Sequence, residues 1–207
     1  MSPTAIIKKN SKLTPVANQG GEKITACFPD WFDRAKRYKV MNASRISENL
    51  DFSGDDLNFF ARVLYAESSG TVRCPDAGTR LEEKLAIIHV TYFRINRKGY
   101  PNSRYIASNF TDVCKAPGQF ETVFASNAKF DNSGTTLCNK LNEADCANLN
   151  ESLHAIKSFI ENGPNFNKYP YDTFLQGQGR KGWTRIGGTD FKLFDGNKEA
   201  MQKEMGE

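Results

Sequence analysis

Glu67 is the residue whose type and place best fit acid chemistry. It closes the run Ala61-Arg62-Val63-Leu64-Tyr65-Ala66-Glu67-Ser68-Ser69-Gly70, three residues after Leu64, four after Val63 and seven after Phe60. On a helix those spacings stack it beside an apolar stripe. A helix C-terminus also presents it with the negative end of the macrodipole. Both surroundings penalise the ionised carboxylate and raise its pKa. A carboxylic acid kept protonated near neutral pH is what the protonation of a glycosidic oxygen requires. The competing reading is a solvated glutamate at a helix end.

Other reactive side chains are scarce. There are two histidines, His89 and His154, and neither H-E-x-x-H nor C-x-x-C occurs, so no metal or cofactor is expected. His89 sits between Ile88 and Val90 in a helical stretch, which suits a packed or solvated histidine; His154 reads the same way. Cys27, Cys74, Cys114, Cys138 and Cys146 are scattered. They read either as reduced, buried small residues or as two disulfides plus one free thiol. A peptidase pairing Cys114 with His154 has no local signature behind it. Gly177-Gln178-Gly179-Arg180-Lys181-Gly182 lacks the order of a phosphate-binding P-loop and reads as a flexible loop.

The elements that must position Glu67 follow from periodicity. Ser53 and Asp56 have capping-box spacing, and Leu57, Phe60, Ala61, Leu64 and Tyr65 follow at helical intervals. That helix ends at Ser68-Ser69-Gly70, with Gly70 expected in a left-handed C-terminal position. A second helix starts at a Thr79/Glu82 box and carries Leu81, Leu85, Ile88, Tyr92 and Ile95 on one stripe. It ends in Arg94, Arg97 and Lys98 before Gly99 and Pro101. A third runs from about Asn150 to Asn162, with Leu153, Ile156 and Ile160 inward and Gly163-Pro164 as its stop. Residues 100–140 predict short helical turns and loops, with a small hairpin near Gly118 or Gly134. Residues 27–41 predict a short docking helix carrying Phe28, Trp31 and Phe32, and the stretch from Phe166 to Phe194 predicts extended segments and turns, some of them strands.

The composition fits one domain with appendages: a flexible N-terminal arm over 1–24, a body over 25–196 and a polar tail over 197–207. The chain has 207 residues, 39% of them hydrophobic, enough for a real core. A mean hydropathy of -0.58 calls for solvated segments around that core. No stretch approaches the roughly 18 apolar residues of a membrane span. The opening MSPTAIIKKNSKLTPVANQGGEK carries no apolar run or cleavage site, so no Sec signal is expected. Lys plus Arg is 28 against 24 acids, net +4. That mild surplus suits an anionic polymer, and no basic helix or zinc-finger spacing supports nucleic-acid binding.

In their order, these features resemble the SleB/CwlJ-type cell wall hydrolases, the family of the spore-cortex-lytic enzymes. The family's helix-ending run corresponds to Ala61, Tyr65, Glu67 and Gly70, with Ser68 where an alanine is usual. Its N-R dipeptide corresponds to Asn96-Arg97, its aromatic-Pro-Asn to Tyr100-Pro101-Asn102 followed by Ile106, and its P-G-Q-F to Pro117-Gly118-Gln119-Phe120. The C-terminal W…I-G-x-H-x-F is partly present as Trp183, Ile186, Gly187, Gly188 and Phe191, without the histidine. The likeness covers about 54 to 124 well and 170 to 194 loosely. The insert at Cys74–Gly78, the 125–148 stretch and the Leu175 region depart from it.

The resemblance implies an α+β, mainly α fold: a lysozyme-like helical lobe and a small β element flanking a glycan-binding cleft. It implies that Glu67 is the catalytic acid, with Gln119 and Phe120 lining the cleft; Tyr65 joins them as a substrate-binding candidate, Arg180 and Lys181 suit anionic wall groups, and Trp183 suits either a sugar ring or core packing. The implied partner is bacterial peptidoglycan, cut between N-acetylmuramic acid and N-acetylglucosamine. The second-carboxylate candidates Glu121, Asp112 and Asp131 match no family catalytic position, so lytic transglycosylation with one acid is favoured over muramidase-type hydrolysis. A wall-binding or virion structural protein that keeps the fold is the rival from another class. Without a Sec signal, the expected route to the wall is a bacteriophage holin, a phage particle or a secretion apparatus.

Overall fold

The computed structural model describes residues 27–43, 50–97, 106–125, 127, 129–130, 141–177 and 179–205, together with the backbone of two short strands before them. Those strands, β1 (Pro15–Ala17) and β2 (Lys23–Thr25), pair antiparallel with Val16 opposite Ile24. The expected arm over 1–24 therefore contains β1 and the start of β2, and its first fourteen residues lie outside the described ones. Residues 27–41 also differ from expectation. Instead of a helix they form turns leading into β3 (Arg37–Lys39), which pairs with β4 (Asp51–Ser53). The aromatic spacing there serves packing, as Phe28 stacks on Phe32 and Trp31 sets its ring edge-on to Tyr38.

The body is mainly helical. α1 (Gly54–Glu67) begins as expected, with the Ser53 hydroxyl oxygen accepting from the Asp56 amide at 3.1 Å. It ends at Ser68, whose extended backbone stops the helix and whose amide donates to the Leu64 carbonyl. Gly70 does not take the left-handed conformation. Its missing side chain serves a close approach instead: a Cβ there would stand 3.1 Å from Asn148 Nδ2.

α2 (Ala77–Phe93) starts two residues before the expected box, because Asp76 caps it by accepting from both the amide and the hydroxyl of Thr79 at 2.7 Å. It is buried almost all round from Ala86 to Phe93, while Leu81, expected inward, is exposed. Two short helices follow, α3 (Phe110–Lys115) and α4 (Glu121–Phe124); Gly118, with φ of +75°, lies in the bend between them rather than in a hairpin. Gly134 lies outside the described residues.

α5 (Glu143–Asn162) starts seven residues before the expected Asn150 and stops at Gly163 with φ of +73°. Asn142 caps it, and Glu143 and Asp145 suit the positive end of its dipole. Cys146, Leu149, Leu153 and Ile156 continue one buried stripe, and α1 and α2 both pack on it. Phe52, Phe60 and Phe110 form the aromatic heart of the core, with ring centroids 4.7 Å apart for Phe60–Phe110 and Phe52–Phe110. Cys27 and Cys146 are disulfide-bonded, fastening the segment before β3 to α5; Cys74 and Cys114 are free and buried.

The C-terminal stretch forms a three-stranded antiparallel sheet in the order β5 (Thr173–Gln176), β7 (Thr189–Lys192), β6 (Thr184–Ile186). Phe174 sits opposite Phe191, and Leu175 opposite Asp190. The expected polar tail is a further helix, α6 (Lys198–Met205), which docks by burying Met201 completely. The architecture is α+β and mainly α. Among the described residues no helix is long and apolar enough to cross a membrane.

Candidate active site

Glu67 occupies the last position of α1, at the edge of a cleft of about 1620 Å³. The volume of the cleft exceeds the roughly 300–1,000 Å³ of ordinary small-molecule pockets. Five stretches line it: the turn Ala66–Arg73, the segment from Pro117 through α4 to Ala125, the pair Asn127 and Lys129, the start of α5 at Asn142, Asp145 and Asn148, and β5 from Phe174 to Gln176.

The surroundings of Glu67 fit an acid. Burial is the main influence and pushes its pKa above the ordinary glutamate value, with the charge of Glu121 acting in the same direction. Thr122 opposes this, since its hydroxyl donates to Glu67 Oε1 at 2.7 Å. The backbone is fixed as well. The Glu67 carbonyl, one of the unpaired groups that end any helix, accepts from Gln176 Nε2 on β5 at 2.8 Å.

Of the residues expected on the substrate, the structure brings Gln119 to the cleft, where its Oε1 accepts from Arg94 Nη1 at 3.2 Å. Arg94, expected among the basic residues closing α2, is buried and also donates to the Asp172 carbonyl. Tyr65, Phe120 and Trp183 are not among the lining residues. Tyr65 and Phe120 are only 3% and 1% exposed, because their positions on α1 and before α4 face the core; Phe120 packs on Phe174. Trp183 sets its ring edge-on to Phe194 within the β5–β6 connection, near Arg180 and Lys192.

The apolar wall consists of other residues. Phe124 is 58% exposed and Leu175 46%, and both line the cleft together with the fully protruding Val72. Polar groups add to it. Ser68 and Asn148 line the cleft, and Ser68 Oγ and Asn148 Oδ1 are buried without a hydrogen-bond partner among the described residues. Buried polar atoms left unpaired are costly, so a bonding occupant of the cleft would remove a penalty. Sequence reasoning missed Thr122, Phe124 and Asn148 because Thr122 reaches Glu67, and the other two reach the cleft, from distant stretches of the chain. The exposed position of Phe124 in α4 left no periodic trace in a four-residue helix.

Of the second-carboxylate candidates, Glu121 lines the cleft. Asp112 is engaged by the amide and hydroxyl of Ser108 at the start of α3, and Asp131 lies outside the described residues. Asp145, which the sequence did not single out, also lines the cleft.

The remaining reactive groups are structural. His89 is buried between α2 and the stretch after α5. Its Nδ1 donates to the Leu85 carbonyl at 2.7 Å and its Nε2 accepts from the Asn165 amide at 2.9 Å, so the neutral ring is the one that fits. Burial lowers its pKa to about 4. His154 packs against Trp31. Cys114 is fully buried, which drives its thiol well above the usual range, with Glu67 adding to the effect; a thiolate nucleophile is not what this site makes. The glycine-rich connection is folded onto the sheet by Asp190, which accepts from the amides of Gly179 and Arg180 and pairs with Arg185. Among the described residues no group of three or more His, Cys, Asp or Glu side chains is placed to hold a metal ion.

No family model, no curated protein and no solved structure matches this chain. The resemblance to the SleB/CwlJ-type hydrolases therefore rests on the motif residues quoted above.

Proposed function

We propose that this chain cleaves the glycan strand of bacterial peptidoglycan between N-acetylmuramic acid and N-acetylglucosamine, as a lytic transglycosylase of lysozyme-like architecture. The observation that carries the reading is Glu67: a carboxyl group with its pKa raised by burial, at the edge of a large open cleft. Its protonated form donates to the glycosidic oxygen as the bond from the muramic C1 breaks. The resulting carboxylate then takes the proton of the muramic C6 hydroxyl, whose oxygen closes on C1 to form a 1,6-anhydro ring. No water is consumed, and one carboxyl group serves as acid and then as base.

Thr122 holds the Glu67 carboxyl and supports the charged form that exists between the two steps. Phe124 and Leu175 offer apolar surface to the faces of sugar rings, and Gln119, Ser68 and Asn148 offer polar contacts to hydroxyl and acetamido groups. A mild net charge of +4 favours an anionic wall. Delivery by a phage particle, a holin or a secretion apparatus belongs to the same proposal; detection in purified virions would identify a particle component.

A hydrolytic second reading is favoured by one observation, the presence of Glu121 and Asp145 in the cleft lining. Inverting and retaining hydrolases both need a second carboxyl group. Mass spectrometry of digested peptidoglycan separates the two readings: 1,6-anhydro ends support transglycosylation, and reducing ends replace it by hydrolysis. Binding to the wall without release of fragments would replace both by a wall-binding role.

A further inference from the structure

α2 carries a second buried glutamate that the proposed chemistry does not use. Glu83 is completely buried, and four donors meet its carboxyl group. The amide and hydroxyl of Ser69 donate to Oε2 and Oε1, each at 3.0 Å. The Gly188 amide and the Thr189 hydroxyl both donate to Oε1, at 3.2 and 2.6 Å. These donors come from two places: the turn that begins one residue after Glu67, and the β6–β7 turn.

The two places are joined by further bonds. Arg73 Nη2 donates to the carbonyls of Gly177 and Gly188, and Gln176 Nε2 donates to the carbonyl of Glu67 itself. The chain has been shaped to admit the carboxyl group. Gly187 has φ of +59°, and a Cβ there would stand 2.6 Å from Glu83 Oε2; a Cβ on Gly188 would stand 2.3 Å from Ser69 Oγ. Any side chain at Gly187 or Gly188 would push the turn away from α2 or from the residues after Glu67.

We propose that Glu83 is a positioning residue, which clamps the turn after α1 to the β6–β7 turn and thereby sets how the Glu67 carboxyl group is held in the cleft. Thr189 is its partner from the sheet. Its hydroxyl supplies a bond to Glu83, so this position works through a buried fastening. Loss of the clamp frees Ser69, lets the end of α1 loosen and admits water to Glu67.

The inference rests on Glu67 being the acid of the proposed reaction, and its test reads Glu67 with and without turnover. The carboxyl titration of Glu67 is followed by carbon-13 NMR in the full chain, with Glu67→Gln supplying the assignment. It is compared among the wild type, Thr189→Val, which keeps the shape but removes the hydroxyl, and Thr189→Ser, which keeps the hydroxyl. Charged or titratable groups in the surroundings of Glu67 that must stay constant are Glu121 on α4 and Cys114 on α3. The expected result is that the Glu67 titration moves down toward the ordinary glutamate range in Thr189→Val and stays in place in Thr189→Ser. On purified peptidoglycan, kcat of Thr189→Val falls by about 10-fold or more while KM changes by less than about 3-fold.

A Thr189→Val protein that melts earlier but leaves the Glu67 titration unmoved overturns the inference and leaves Glu83 a purely structural group. A Glu67 titration that shifts in Thr189→Val, together with a wild type that releases no fragments, keeps the clamp and overturns the function. Glu83→Gln, which puts an amide N–H against one of four donors, is the harsher variant and is expected to shift the titration further.

Discussion

The cleft end of α1 and the junction of α2 with the β6–β7 turn each bury a glutamate, and they treat it in opposite ways. Glu67 meets two donors, the hydroxyl and the amide of Thr122, and burial prevails so that its pKa is raised. Glu83 meets four donors and no solvent, and its oxygens are fully engaged. Burial alone does not make an acid. A carboxyl group with few donors at a cleft can give and recover a proton, whereas one surrounded by donors is a fastening. The difference lies in a few hydrogen bonds, so a few substitutions should erase it.

The largest effect is expected at the donor-poor site. Glu67→Gln keeps the shape and removes the proton, so fragment release from peptidoglycan should fall by at least about 100-fold. The same variant should gain thermal stability at neutral pH. Because the folded-state pKa of Glu67 is raised, the folded protein holds the proton more tightly than the unfolded chain. Stability is then lost as pH rises from the unfolded value through the folded one. The melting curves of wild type and variant should converge below that window and separate above it.

At the donor-rich site, Glu83→Leu leaves four donors without an acceptor and should cost at least about 2 kcal/mol of stability in urea unfolding. A cost near zero would mean that the donors find other partners, and the contrast between the two sites would weaken. Thr122→Val removes the hydroxyl donor of Glu67 and leaves the Thr122 amide in place. Removing a bond that favours the charged form raises the pKa further, so the alkaline fall of the pH–activity profile should move up, with kcat changed by roughly 3- to 10-fold. The smallest effect is expected where the contrast is not touched: Phe124→Ala should raise KM by a few-fold, the order of about 1 kcal/mol of lost apolar contact, and leave kcat nearly unchanged.

What was legible in the sequence was local. The Ser53 cap, the α1 stripe and the place of Glu67 at its end depend on residues within a few turns of one another, and the structure has all three. The stop at Gly163 is of the same kind. The start of α5 was hidden because Cys146 and Leu149 stand alone among polar residues, and Asn142 became recognisable as a cap only in three dimensions. Aromatic residues misled for a related reason. Tyr65, Phe120 and Trp183 have the right chemistry for a sugar ring, but side-chain type does not say which face of an element meets the core, and two of them are buried.

The contacts that define the candidate site span large separations. Thr122 is 55 residues from Glu67, Gln176 is 109 residues from it, and Glu83 meets Thr189 across 106 residues. No period or spacing encodes such pairs. The Cys27–Cys146 bond, with a separation of 119 residues, is another, and the sequence left its pairing open.

The central claim is that Glu67 is the acid that cuts the glycan strand. Purified peptidoglycan digested with the wild type and with Glu67→Gln, and analysed by mass spectrometry, tests it most directly. The account predicts muropeptides with 1,6-anhydro ends from the wild type and none above background from the folded variant. Undiminished release by Glu67→Gln, or no release by the folded wild type, would contradict it.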